Sequence, residues 1–295
     1  MKIEITNKKN EKRIFTLTYS PNGEYALSDV FGFTQDYNIG LTQERSPFQQ
    51  GATTVALRGE PRPLSFVYHM FKTGRKQLDV EVEEIVRFLN PYLGEVRIVY
   101  DSGNRRRAIN AYFTGHTFVD YPEHTGYGSL SLDFLADEAL FEDENFQFVP
   151  LGETPESFTL PITLPVTLGA TVAATDVIND GDHSFPVEII FNGPLTNPKL
   201  IRDVYDINEN VIRTDEISFV NLNVPDNWSV RINTRIGREE AVLIDGLGNE
   251  ENINRFLTPE SNYFQIHLGK NVVRFETSVG NPVTELKFKK KYITA

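Results

Sequence analysis

The sequence predicts a mainly β protein with an N-terminal β-domain that carries one amphipathic helix and a C-terminal β-sandwich. Apolar residues alternate with polar ones in many short segments, clusters of Asn, Asp, Gly and Pro separate these segments, and one stretch has the period of an α-helix. A chain of 295 residues is long enough for about two domains. We therefore place the first domain at residues 1–150 and the second at residues 151–295.

Short β-patterned segments dominate the first half. Residues 15–19 alternate aromatic or aliphatic side chains with threonine, as expected when one face of a strand is buried. Turn residues around Gly103, flanked by strand formers, predict a hairpin, and residues 121–128 predict a second one. Further strands are predicted at 28–33, 53–57, 64–69, 95–100, 108–117 and 128–136.

One segment of the first half has helical periodicity. Its apolar residues recur at the spacing of one helix face: Val82, Ile85, Val86 and Leu89. Asp79 stands where an N-cap would, and the glutamates that follow it favour the positive end of the helix dipole. Asn90 and Pro91 end the pattern. The prediction is an amphipathic helix near residues 79–90.

The second half has a strand pattern throughout. A proline-bearing segment, 150–165, marks the domain boundary near residue 150. Many short strands separated by turn residues predict a β-sandwich. The predicted strands are 162–172, 186–191, 199–204, 217–220, 228–233, 241–244, 263–268, 271–275 and 285–292.

Catalytic and metal-binding motifs are missing from the sequence. Ser129 and Ser131 lie near glycines but lack the Gly-x-Ser-x-Gly pattern and the strand-to-helix turn of a nucleophile elbow. The histidines lack the spacing of a metal site: His69, His116, His124, His183 and His267. We predict that the protein is not an enzyme and that it holds no cofactor and no metal ion.

The acidic run from Glu142 to Glu144 raises the alternative of a β-sandwich glycoside hydrolase, which needs two carboxyl groups facing each other across a bond. Consecutive residues of an extended chain point to opposite faces, so adjacency alone does not build that pair. The pattern favours a solvated acidic linker.

Composition narrows the remaining classes. The chain has no cysteine, which fits synthesis in a reducing cytoplasm, and no apolar run of the roughly 20 residues that span a bilayer. The formal net charge of −12 disfavours binding to nucleic acid, because phosphates require a basic surface. Such acidity could line a conduit through which DNA slides, but the charge by itself favours the plainer interpretation, that it aids solubility.

Two local features allow more than one interpretation. Arg105, Arg106 and Arg107 are a basic cluster in an acidic chain, and they fit pairing with carboxylates of a neighbouring subunit, a weak nucleic-acid patch or solvated hairpin decoration. Trp228, the only tryptophan, fits stacking on a sugar. It also alternates with Val230 and Ile232, which favours a buried face.

The order of these landmarks resembles the distal tail proteins of long-tailed, non-contractile phages, over nearly the whole chain. The last matching run, SNYFQIHLGKN, is the most specific. The matching pieces are the helix before 95–100, the Gly103 hairpin leading to 111–113, 134–137, 179–198, 242–246 and 261–271.

This resemblance implies a ring-forming N-terminal domain, a galectin-like C-terminal sandwich and a structural role in the virion. Such a protein would form a homo-oligomer, a hexameric ring at the distal end of the tail, assembled in the host cytoplasm. Its partners would be the tail tube protein and the adhesion or receptor-binding proteins of the tail. DNA would pass through the ring without specific binding, and no membrane insertion is expected. The principal alternative is a carbohydrate-binding β-sandwich protein.

Overall fold

The computed structural model describes residues 1–16, 25–34, 37–121, 126–151, 174–277 and 284–295. The chain divides into two compact units. The first unit comprises Met1–Glu144 together with Tyr292–Ala295, and the second comprises Asn145–Lys291. No pattern in the sequence predicts that the last four residues return to the first unit.

The first unit is built on an antiparallel sheet with the strand order β2-β1-β7-β8-β9-β6-β3, and β10 pairs with β8. Strands β4 and β5 form a separate two-stranded sheet. The strands are β1 (Lys2–Thr6), β2 (Lys12–Thr16), β3 (Tyr25–Phe31), β4 (Ile39–Glu44), β5 (Thr53–Gly59), β6 (Arg62–Phe71), β7 (Val96–Asp101), β8 (Arg106–Asp120), β9 (Tyr127–Ala136) and β10 (Phe141–Asp143).

Period-two burial builds the core of the first unit. Along β6, Leu64, Phe66, Tyr68 and Met70 are buried, while the residues that alternate with them are partly exposed. Phe15 packs against Phe66 with ring centroids 5.1 Å apart, a spacing typical of favourable aromatic pairs. These side chains lie in one continuous apolar cluster of the unit.

The helix α1 (Arg75–Phe88) begins earlier than predicted, so the prediction that Asp79 caps it is wrong. Gly74 is the N-cap residue, and the backbone N–H and the hydroxyl of Thr73 donate to Oε1 of Gln77 at 3.3 and 2.7 Å. Thr73 and Gln77 thus fix the entry into the helix, and Asp79 lies inside it. The predicted apolar face is confirmed, since its four residues are buried in or packed against the core.

A short 3₁₀ helix, Pro91–Leu93, follows α1. The side chain of Asn90 accepts a hydrogen bond from the Tyr92 N–H at 3.1 Å. Asn90 and Pro91 therefore end the α-helix as predicted.

A buried arginine holds the C-terminal tail in the first unit. Arg62, at the start of β6, is 1% exposed, and its guanidinium donates to the carbonyls of Gly32, Ala139 and Ile293 at 2.6, 2.9 and 2.6 Å. The backbone N–H of Ala295 donates to the Phe33 carbonyl at 2.9 Å. Charge-assisted bonds of this kind are about twice as strong as neutral ones.

The second unit has a sheet of order β11-β22-β13-β18-β19-β20, one of order β12-β21-β15-β16 and a short pair β14-β17. A 3₁₀ helix, Asn254–Phe256, follows β20. The strands are β11 (Gln147–Leu151), β12 (Ala174–Asn179), β13 (Val187–Asn192), β14 (Leu195–Thr196), β15 (Lys199–Tyr205), β16 (Val211–Ser218), β17 (Asn223–Val224), β18 (Ser229–Asn233), β19 (Glu240–Ile244), β20 (Glu250–Asn252), β21 (Gly269–Glu276), β22 (Thr284–Phe288) and β23 (Lys291–Tyr292), which leads back to the first unit.

Both large sheets of the second unit contribute to one apolar core. Phe191 of β13 and Phe275 of β21 approach with ring centroids 4.8 Å apart. Two antiparallel sheets that share a core form a β-sandwich. The predicted fold class, mainly β with a single α-helix among the described residues, is confirmed.

The predicted strand at 263–268 is wrong. Phe264 and Ile266 are buried, so the alternation was real, but the segment makes only an isolated bridge in which Phe185 and Ile266 exchange backbone hydrogen bonds. Gly269, with φ +84°, then turns the chain into β21. Alternating burial therefore does not require a continuous ladder.

The hairpin predicted around Gly103 is confirmed, since β7 and β8 pair up to Asp101 and Arg106, and Gly103 has φ +95°. The strand predicted at 162–172 and the tip of the hairpin predicted at 121–128 lie outside the described residues. So do residues 17–19 of the first alternating segment.

Candidate assembly surfaces

The two-stranded sheet β4–β5 carries its apolar side chains on one face. Leu41 pairs directly with Leu57, so their side chains lie on the same side. Ile39 is two residues from Leu41 along β4 and shares that side. The next register pair, Thr42 and Ala56, faces the opposite way, and Val55 follows as the extra residue of a bulge in β5. We call the surface formed by Ile39, Leu41 and Leu57, together with the neighbouring bulge residue Val55, the ribbon face.

The ribbon face is open to solvent. Ile39, Leu41, Val55 and Leu57 are 48, 56, 56 and 66% exposed. Single exposed aliphatic residues are ordinary, but an amphipathic strand pair normally buries its apolar face. A two-stranded hairpin without further cover is marginally stable in water. The ribbon face therefore has the properties of a surface that another polypeptide covers.

The loop at the tip of this hairpin presents an aromatic ring. Phe48 is fully exposed. The loop around it is ordered by hydrogen bonds, because the Gln49 N–H donates to the Ser46 carbonyl at 3.0 Å and the Gln49 side chain donates to the Thr53 hydroxyl at 2.9 Å. An ordered turn that points a phenyl ring into water is a common form of binding anchor.

Sequence reasoning found β5 but missed β4. The alternation of Ile39 and Leu41 stops after one repeat, and polar residues then lead into the loop. Pairing with β5 continues past the bulge at Val55 and extends the strand to Glu44. The signal that could have found it is the apolar pair at 39 and 41 facing the predicted strand across a loop that contains Pro47.

Two arginines of the cluster, Arg106 and Arg107, bind other residues of the first unit. Arg106 makes two bonds to the carboxylate of Glu144, at 2.6 and 2.8 Å, one to Asp101 at 2.8 Å and two to Glu4 at 3.2 and 3.4 Å. This fork geometry is the strongest form of arginine–carboxylate pairing. Arg106 is therefore a structural residue of the unit.

Arg107 holds the returning C-terminal tail. Its guanidinium lies 3.6 Å from the centroid of the Tyr292 ring and donates to the Thr294 carbonyl. Arg105 is exposed at the hairpin tip. Of the three arginines proposed for contacts between subunits, Arg105 is the one whose side chain points into solvent.

The acidic run is not a solvated linker, so that prediction is wrong. Glu142 and Asp143 belong to β10, and Glu142 accepts from Arg97 at 2.8 Å. Glu144 is held by Arg106. The arginines that pair with these carboxylates lie about 40 residues earlier in the chain, which is why the local pattern did not show them.

Glu4 is the buried centre of this charge network, with 3% of its side chain exposed. Burial by itself would raise the pKa of Glu4, but hydrogen bonds from Lys12, Lys2 and Arg106 outweigh it and lower the pKa from 4.5 to about 2. The same arginine lowers the pKa of Glu144. Paired cations thus keep the buried carboxylate ionised.

The first unit is expected to lose stability as the pH falls from about 4.5 to 2. The lowered pKa of Glu4 stabilises the folded state fully above 4.5, and protonation removes about 3 kcal/mol as the pH approaches 2. Urea unfolding at a series of pH values measures this slope. Glu4→Gln should flatten it, whereas Glu84→Gln, on the exposed side of α1, should not.

Trp228 packs partly against the core of the second unit, next to the buried Val230 and Ile232. Its carbonyl accepts a hydrogen bond from the Gly193 N–H at 2.8 Å. An indole used in packing offers little of its face to a sugar ring. The placement matches the buried-face interpretation of this residue.

Within the described ranges, no three His, Asp or Glu side chains are grouped so that they could hold a metal ion. The helices in those ranges are too short and too polar to cross a bilayer.

The fold of this chain has counterparts among solved structures. The crystal structure of phage SPP1 Dit, a protein of the hub adsorption apparatus of phages that infect Gram-positive bacteria, matches with a TM-score of 0.62 over 98% of this chain and 99% of that one, at 14% identity. The chain has the Dit fold. This likeness confirms the resemblance to phage distal tail proteins that the sequence indicated.

Two further structures share the Dit fold. Both are chains of the phage P2 baseplate in its activated conformation. The one with Ca matches at a TM-score of 0.53 and 14% identity over 100% of this chain and 98% of that one. The one with Sr matches at 0.54 and 16% over 100 and 99%. No protein-family model and no curated protein matches the sequence.

Proposed function

We propose that this protein is a structural hub of a phage tail, a homo-oligomeric ring that joins the tail tube to the host-adsorption apparatus. The observation that carries the proposal is the Dit fold over the whole chain, shared with hub and baseplate proteins. The function is assembly and transmission of force, without turnover of a substrate.

The ribbon face supports ring formation. A closed ring needs a heterologous interface, in which one patch of each copy meets a different patch of the next. The ribbon face supplies an uncovered apolar patch, and its bare two-stranded sheet needs a partner to be stable. A hexamer would follow from a rotation of about 60° between neighbouring copies.

Charge and location fit the same proposal. The net charge of −12 suits a passage through which DNA moves without binding. The partners are the tail tube protein on one side of the ring and the adhesion or receptor-binding proteins of the tail on the other. The protein would therefore be found in the virion, at the distal end of the tail.

Two measurements test the proposal. Purified full-length protein at high concentration should form rings in negative-stain micrographs, with a matching mass by light scattering. Antibodies against the chain should label the distal tail end of virions. Labelling at the capsid or along the tail shaft would contradict the proposal, as would turnover of a substrate by the purified protein.

Arg105 is the part of the arginine cluster that remains available for contacts between copies. We expect Arg105→Ala to change the free energy of unfolding by no more than about 0.5 kcal/mol and to weaken ring association by about 1 kcal/mol or less, with less effect at high salt. Light scattering over a salt series measures this. If Arg105→Ala and the natural protein associate equally strongly at every salt concentration, the result would contradict a role for Arg105.

A further inference from the structure

A groove lies beside the C-terminal half of α1 in the first unit. Its volume is about 490 Å³. Val82 and Val86 form part of its wall, with Pro91, Tyr92 and His116 around them. Tyr92 is 97% exposed, so the aromatic wall of the groove faces solvent. An apolar groove with an exposed tyrosine is a typical binding site for an aromatic side chain.

The tip of the β4–β5 hairpin carries a group of matching size. Phe48 is fully exposed on its ordered loop and does not fill the groove of its own chain. Strands of six and seven residues extend about 20 Å, which gives the hairpin the reach to contact a neighbouring molecule. The chain therefore has both an open groove beside α1 and a fully exposed phenyl group at Phe48.

The charges beside the ring and beside the groove are complementary. Glu44 and Arg45 lead into the tip loop, while Glu83 and Arg87 line the groove one helical turn apart. Within the described part of the chain, none of these four side chains has an ion-pair partner. Two opposite pairs can thus form when the loop lies along the groove, Arg45 with Glu83 and Glu44 with Arg87.

We propose that the hairpin tip of one copy docks in the α1 groove of the next copy, with the Phe48 ring against Val82 and Val86. This inference rests on the proposed ring and specifies one of its contacts. Tip and groove are different patches, so each docked copy still offers one of each, which is what a closed ring requires. The occupant is therefore a second copy of this chain.

Disulfide trapping tests the contact, because the natural chain has no cysteine. Two single variants, Phe48→Cys and Val86→Cys, would be prepared with tags of different mass and mixed under mild oxidation. We expect a mixed covalent dimer of the two variants. Val80→Cys replaces Val86→Cys in the control, since Val80 is a half-exposed valine of the same helix that does not line the groove.

The outcomes separate this contact from the ring itself. A mixed dimer that forms well with Val86→Cys and at least about tenfold less with Val80→Cys supports the docking. Equal yields from the two, or only a homodimer of Phe48→Cys, would overturn it. Rings in micrographs without the Phe48–Val86 disulfide would reject the docking and leave the hub function standing.

A charge exchange gives an independent readout. Arg45→Glu and Glu83→Arg should each weaken association between copies by about three- to tenfold, and the double variant should restore most of it. Far-ultraviolet circular dichroism confirms that each variant is folded. A double variant that associates no better than either single variant would contradict the Arg45–Glu83 pair.

Discussion

Replacing Arg62 with methionine is expected to lower the free energy of unfolding of the first unit by about 3–5 kcal/mol. The guanidinium is buried and satisfies three backbone carbonyls, of Gly32, Ala139 and Ile293. Methionine fills much of the same space, but it leaves the three carbonyls without these donors, and each buried unpaired group costs about 1–3 kcal/mol. The loss should also release the C-terminal tail.

The two units allow this effect to be localised. Trp228 is the only tryptophan and lies in the second unit, so its fluorescence follows that unit, while hydrogen exchange of β6 peptides follows the first. Arg58→Met, at an exposed arginine of β5, is the matched control and should change stability by less than about 0.5 kcal/mol. Equal protection of β6 in the two variants would refute the role given to Arg62.

The double substitution Leu41→Asp, Leu57→Asp is expected to abolish ring assembly while the chain stays folded. The two leucines face each other on the ribbon face, so the change places two like charges on the surface that a neighbour would cover. Buried interface anchors typically contribute about 2 kcal/mol each. The concentration needed for assembly should therefore rise by at least about 100-fold.

The opposite side of the same hairpin provides the control. Thr42 and Ala56 are the adjacent register pair and point away from the ribbon face. Thr42→Asp, Ala56→Asp adds the same charge to the same strands and should leave assembly within about threefold of the natural protein. Light scattering and micrographs compare the two double variants. Equal loss of rings in both would mean that charge, not the ribbon face, controls assembly.

Much of the fold follows from sequence periodicity. The β6 pattern was visible because its alternate residues enter one core. The start of α1 was misplaced because its N-cap is Gly74, which has no capping side chain, whereas Asp79 has the chemistry of a cap but lies inside the helix. The pattern of β4 was too short to stand out, and it becomes a strand only through its pairing with β5.

Buried charges were beyond sequence reasoning. In the sequence, Arg62 resembles an ordinary surface arginine. In the structure, one of the carbonyls to which it donates belongs to Ile293, which is 231 residues away along the chain. Glu142 and Glu144 looked like solvated residues because their partners Arg97 and Arg106 belong to other strands. Such contacts depend on the completed sheet, so a local window does not contain them.

The assembly surface was hidden for a different reason. An amphipathic strand has the same sequence pattern whether its apolar face enters the core of its own chain or that of a neighbour. The residues of the ribbon face therefore read as ordinary core residues. Their exposure in the folded chain is the observation on which we propose them as a surface for another molecule.

The return of Tyr292–Ala295 makes the second unit an insertion with two covalent tethers. The chain leaves the first unit after Glu144, which is bound by Arg106. It re-enters that unit at Tyr292, whose ring lies against the guanidinium of Arg107. Two adjacent arginines of β8 therefore bind the residues at which the chain leaves and re-enters the first unit. A pull on the inserted unit would be divided between these two connections, so neither of them would bear the full load.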